Sequence, residues 1–174
     1  MFWDAFWQTM IREWNGIDVL RMDKFLMLVR REVNAGMRYC KKAGWREEDV
    51  AEMVRIVKEG PMHPTEKKVP NGIRYHLCDI WVDELEKVRE KGETAPWEEL
   101  VSPFVEMKKE GGQKLWRTKA GAVVVDGRWE AWKEGKEFGE EKEKEEAGEE
   151  DKMDETEDKP ESDDDEEGEF MGFD

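Results

Sequence analysis

DVLRMDKFLMLVRREVNAGMRYCKKA, residues 18–43, decides how this chain folds. Its apolar residues Met22, Phe25, Leu26, Val29, Val33, Met37 and Cys40 recur at steps of three and four. At about 100° per residue they fall within an arc of about 120°, one face of an amphipathic helix. The opposite arc carries Lys24, Arg31, Arg38 and Lys42, with Met27 and Leu28 flanking it. Asp18 is placed to cap the start of the helix through its carboxylate, and Gly44 is placed to stop it.

Similar patterns lie on both sides. Trp3, Phe6, Trp7, Met10 and Trp14 make one face of a helix over 1–14, ended by Asn15-Gly16. Val50, Met53, Val54 and Val57 make the stripe of a helix over 47–59, with Glu47, Glu48 and Asp49 at the positive end of its dipole. Gly60-Pro61 opens a Pro- and Gly-rich loop over 60–72. The segment 73–90 is apolar on two sides, Ile73, Leu77, Ile80, Trp81 and Val88 on one and Tyr75, Cys78, Val82 and Leu85 on the other. A helix greasy on two faces is sandwiched between neighbours, which points to stacked helical hairpins. Pro96 suits the first turn of a further helix carrying Trp97, Leu100, Val101, Phe104 and Val105, which Pro103 is expected to kink or split. Ala122–Val125 has strand propensity, but no second strand is available to pair with it, so 113–132 is read as helical.

Charge divides the chain in two. Residues 1–132 hold 23 basic and 23 acidic residues, whereas 133–174 hold 6 and 22 and so carry the whole net charge of −16. All nine tryptophans lie before Lys133. The expectation is an all-α helical-repeat domain over 1–132, of the α-solenoid or HEAT-like kind, followed by a disordered acidic tail over 133–174 that cannot offset its ordering entropy. Residues 137–152 are expected to form no more than a transient helix through Glu–Lys pairs, and the apolar island 170–173 reads as a chain end rather than a docking peptide. No stretch approaches the ~20 consecutive apolar residues of a bilayer-spanning helix, and no membrane partner is expected. Two cysteines and no secretory leader pattern read as free thiols in a reducing compartment.

Catalytic patterns are not found. His76 and Cys78, two residues apart on a helix, point about 160–200° from each other and cannot chelate one ion. His63 has no evident partner. Ser102 precedes a proline and Ser162 lies in the acidic tail, so neither has a base beside it. Gly111-Gly112 has neither the preceding strand nor the pattern of a phosphate-binding loop. No enzyme activity, no cofactor, no metal and no small-molecule substrate are expected.

The stronger candidate is the basic arc of residues 18–43. Lys24, Arg31, Arg38 and Lys42, with Arg30 and Lys41 nearby, keep one sign over about 27 Å of helix. A charge run is ordinarily a solvated face, but the neighbouring Met27 and Leu28 give this one the mixed character of a binding surface for RNA or a protein partner. Trp3, Trp7, Trp14 and Trp81 fall on stripes and read as core. Trp97, Trp116, Trp129 and Trp132 fall near helix ends, where large aromatics often anchor interfaces, and some of the nine tryptophans are expected to meet a partner.

Two long blocks resemble a known family. FWQTMIREWNGID at 6–18, continuing VLRMDKFLMLVRR at 19–31, and PNGIRYHLCDIWVDEL at 70–85 are similar to signatures of the nucleolar ribosomal-RNA-processing protein one family, the animal 52-kilodalton nucleolar protein type. Pro103-Phe104 and Asp126-Gly127-Arg128-Trp129 match more loosely. The resemblance implies stacked helical repeats and a nuclear, nucleolar scaffold without catalytic residues. Such a scaffold is needed for large-subunit precursor rRNA processing and binds other large-subunit assembly factors and precursor rRNA. It also implies that 1–132 is the C-terminal part of the family's domain, incomplete at its N-terminal end, so that Phe2, Trp3 and Phe6 lack a neighbour. The competing expectation, resting on the tail alone, is an acidic-tail chaperone for basic nuclear proteins such as histones or ribosomal proteins.

Overall fold

A computed structural model describes residues 2–93 and 95–136. The helices are α1 (Phe2–Glu13), followed by a 3-10 turn (Trp14–Gly16), α2 (Met22–Lys42), α3 (Glu47–Glu59), α4 (Asn71–Val88), α5 (Trp97–Glu110), α6 (Lys114–Val124) and α7 (Arg128–Lys133). No strand occurs among the described residues. The expected tail beyond Lys136, including 137–152 and 170–173, lies outside the described residues.

Helix α2 packs on α4 and α4 on α6, while α3 packs on α5; the hairpin partners α2 and α3, and α5 and α6, touch across. The result is two rows of packed helix pairs, the all-α arrangement expected from the two-faced pattern of residues 73–90. Helix α4 is sandwiched as that pattern requires: Ile73, Leu77, Ile80, Trp81, Val82 and Leu85 are all buried. Its side chains share a core with Val29, Val33 and Met37 of α2, Val57 of α3, and Leu100 and Phe104 of α5. Each such side chain contributes about 1.5–3 kcal/mol by leaving water.

The ends of α2 show how local chemistry sets helix limits. The helix starts at Met22, three residues later than a cap at Asp18 implies. The Asp18 carboxylate instead accepts the Leu20 N–H at 2.8 Å and pairs with Arg21 at 2.7 Å, closing a turn before the helix begins. That turn leaves Val19 and Leu20 exposed. At the other end Gly44 has φ +72°. The Gly44 N–H reaches the Lys41 carbonyl at 2.8 Å and the Trp45 N–H reaches Cys40 at 2.8 Å, a Schellman cap. Midway along, the Trp3 ring lies on Gly36 so closely that a Cβ there would stand 1.8 Å from it. Glycine is what lets α1 approach α2.

Pro103 does not split α5, which runs unbroken from Trp97 to Glu110. A proline at 103 removes the N–H that would bond the Glu99 carbonyl. The Ser102 hydroxyl donates to that carbonyl instead, at 2.7 Å. The adjacent serine thus fills the gap that the proline opens.

The loop between α3 and α4 is held by one buried side chain. Arg74, 1% exposed, donates to the carbonyls of Val69 at 2.6 Å, Glu66 at 2.6 Å and His63 at 2.8 Å. Its guanidinium lies 3.9 Å over the Trp116 ring. Burial lowers its ionisation to about 10, so it remains a cation at neutral pH.

The late tryptophans correct an expectation. Trp97, Trp116, Trp129 and Trp132 are all buried within the helical body. Helix α7 folds back so that Trp132 packs on Trp97 and Trp129, with ring centroids 5.7 and 5.6 Å apart, and Arg89 covers Trp132 at 4.6 Å. Position near a helix end did not mean exposure, because the next helix closes over the ring.

Candidate functional site

Helix α2 divides its cations by angle. Arg30 and Lys41 flank the apolar stripe and turn toward α4. Arg30 pairs with the buried carboxylate of Glu84, and with Asp83 at 3.5 Å. Glu84 also receives Asn34 at 2.9 Å and Lys87 at 2.7 Å. Burial alone raises the Glu84 carboxyl, but the bonds from Lys87 and Arg30 outweigh it and hold the group below its ordinary range. Lys41 donates to the Val88 carbonyl at 2.7 Å, where α4 ends, and to Glu90 at 2.8 Å. These two cations fasten α2 to α4.

Lys24, Arg31, Arg38 and Lys42 lie on the far side and are exposed. They make no hydrogen bond or ion pair with the described residues. Met27 and Leu28, 49% and 42% exposed, lie between Lys24 and Arg31. Of the eight residues singled out in the sequence, six therefore form one exposed ridge along α2, and Arg30 and Lys41 stand apart from it. The sequence reading passed over Tyr39, which is 61% exposed and lies about 60° around the helix from Lys42. The signal was an aromatic outside the 120° stripe, on the polar side of the helix.

Beside the ridge a cleft of about 800 Å³ opens between the last turns of α2 and α4, lined by Arg38, Tyr39, Lys41, Lys42 and Lys87. On the other side of Tyr39 lies an apolar groove of about 490 Å³ between α1, α2 and α3, floored by Trp3, Met53 and Ile56. Its rim carries Phe2 and the carboxylates Glu32, Asp49 and Glu52, and its lining includes no cation.

The titratable groups away from this face are structural. The His76 ring nitrogen meets the Leu26 carbonyl at 2.9 Å, and burial lowers its pKa. Burial, with Asp49 adding to it, pushes the Cys40 thiol up to about 11; burial and Asp79 push Cys78 up to about 12. Neither is a thiolate at neutral pH. Among the described residues no group of three or more His, Cys, Asp or Glu side chains is placed to hold a metal ion, and no helix is long and apolar enough to cross a membrane.

A family model described as nucleolar protein Nop52 matches residues 1–173. The chain belongs to the Nop52 family. Among relatives, human ribosomal RNA processing protein 1 homolog A is 40% identical over 105 residues, 60% of this chain and 23% of the relative. Human homolog B is 42% identical over 88 residues, 51% of this chain and 12% of the relative. The Drosophila melanogaster homolog is 34% identical over 105 residues, 60% of this chain and 15% of the relative. The chain thus spans less than a quarter of the length of these relatives. Within this Nop52 chain, the blocks that carried the resemblance include both kinds of residue described above: Arg74 holds the fold, and Lys24 and Arg31 face outward.

Proposed function

We propose that this chain is a non-catalytic docking module in the assembly of the large ribosomal subunit, acting in precursor rRNA processing within the nucleolus. In this reading residues 1–132 form the binding body and 133–174 an acidic appendage. The α2 ridge meets precursor rRNA, and other assembly factors contact the remaining helical faces. One observation carries the reading: a family named for the nucleolus, with relatives named for rRNA processing, presents a one-signed ridge about 27 Å long whose four cations have no partner among the described residues. Such cations can neutralise phosphates without giving up internal contacts. The protonated thiols and the paired carboxylates support a binding role rather than a chemical one.

The test is reversal of Lys24, Arg31, Arg38 and Lys42 to Glu. The fold should survive, because none of the four makes a polar contact with the described residues. Co-sedimentation with large-subunit precursors should fall sharply. A folded variant that sediments with the particle as the wild type does removes the ridge from the mechanism.

A further inference from the structure

Tyr39 stands between two unlike surfaces. On one side is the cationic cleft, where Lys41 is tied to Val88 and Glu90 and Lys87 to Glu84, while Arg38 and Lys42 keep no partner among the described residues. On the other is the apolar groove with its carboxylate rim and an exposed Phe2 at its mouth. The Tyr39 hydroxyl bonds nothing among the described residues, and the ring offers a free face.

An anionic ligand that touched only charges would leave this ring unused. On the groove side Asp49 and Glu52 are already paired with Arg46 and Arg55, whereas Arg38 and Lys42 on the cleft side have no partner among the described residues and attract an anionic backbone, so a polymer with one charged edge and one flat apolar edge has a defined orientation here. Single-stranded nucleic acid has both edges: phosphates for the cations and bases that stack on aromatic rings. A duplex keeps its bases stacked inside and reads mainly as phosphate and sugar. An acidic protein segment would satisfy Arg38 and Lys42 but meet the flat face of Tyr39 only where it carried an aromatic or proline side chain, whereas every nucleotide brings a base.

We propose that single-stranded RNA crosses α2 at Tyr39, with phosphates on Arg38 and Lys42 in the cleft and a base stacked on the Tyr39 ring at the mouth of the apolar groove. This rests on the reading of the ridge as an RNA surface and adds to it the strandedness of the RNA and the residue that reads it.

The experiment is fluorescence anisotropy of the full chain with a short fluorescein-labelled uridine-rich strand, and with a duplex of the same length, between about 50 and 200 mM salt. Wild type should prefer the single strand. Tyr39→Ala should weaken single-strand binding about tenfold and leave the salt slope unchanged, Tyr39→Phe should restore it, and duplex binding should not respond to either. Arg38→Gln with Lys42→Gln should lower the slope of log affinity against log salt by about 1.4 for two lost phosphate contacts. If Tyr39→Ala binds within twofold of wild type while the Gln pair still weakens binding, the stacking site is overturned and the RNA ridge survives. If wild type binds neither RNA, or binds a glutamate-rich peptide in preference to both, the stacking site and the RNA ridge fall together.

Discussion

Replacing Arg74 tests the account of how the fold is held. Arg74→Met keeps the length of the side chain and removes the guanidinium. The Val69 carbonyl, buried beneath it, loses its donor, and an unpaired buried carbonyl costs about 1–3 kcal/mol. The His63 and Glu66 carbonyls belong to partly exposed residues and can recruit water, so each loses little beyond a net bond of about 0.5–1.5 kcal/mol. The stacking over Trp116 at 3.9 Å contributes about 1–2 kcal/mol more. Against these losses, a guanidinium no longer has to be stripped of water. The net expectation is a loss of about 3 kcal/mol, or roughly 10 °C in Tm for a domain of this size. Arg74→Lys should lose nearly as much, because one compact ammonium cannot reach three carbonyls and lie flat on a ring. Urea unfolding followed by tryptophan fluorescence, with a parallel helix melt by circular dichroism, reads both variants. Full stability in the Lys variant, or a Met variant within about 0.5 kcal/mol of wild type, refutes the claim that the planar fork closes this loop.

Two further outcomes follow from single contacts. Ser102→Ala should cost about 1 kcal/mol by freeing the Glu99 carbonyl, and almost nothing in a Pro103→Ala background, where the restored amide takes over that carbonyl; equal costs in the two backgrounds, measured by urea unfolding, exclude the compensation. His76 is lowered by burial, so the unfolded chain binds more protons than the folded one in acid, and stability should drop as pH falls through about 6.5, by at most about 1.4 kcal/mol per unit. His76→Gln should remove that component; wild-type and variant stability curves that stay parallel between about pH 5 and 7.5 contradict it.

Much of the fold was legible because periodicity reports burial directly. The α2 stripe, the limits of α3 and the two-faced pattern of α4 could be read from spacing alone, since an amphipathic helix has one way to bury its apolar side. What escaped were features set by partners far away in sequence. Asp18 could cap a helix or close a turn, and Arg21, which pairs with its carboxylate, stands with the turn. Pro103 reads as a kink or split in α5 because the rule for proline concerns the backbone, while the compensation that keeps the helix unsplit comes from a neighbouring hydroxyl. The late tryptophans looked available because α7, only six residues long, was invisible as a lid. For the site, the exposed cations could be read from their angle, and so could the inward turn of Arg30 and Lys41, which lie near the edge of the stripe rather than opposite it. Tyr39 needed the structure, because only the neighbouring helices show that none of the described residues covers it.

Equal numbers of cations and carboxylates in residues 1–132 leave a surface that is unequal from place to place, and α4 is the reason. Its carboxylates gather the cations around it: Asp79 takes Lys119 of α6, Asp83 and Glu86 take Arg128 of α7, and Glu84 takes Arg30 of α2 and Lys87 of α4 itself. These carboxylates are thereby taken up in pairs, most of which join helices. The outer side of α2 faces away from α4, and no helix with free carboxylates packs over it among the described residues. Four cations there have no counter-charge among the described residues, although residues 1–132 as a whole are neutral. The ridge is therefore a consequence of how the stack is tied together. A change that frees a carboxylate on α4, such as loss of Arg128, would damage the fold before it altered the charge of the ridge.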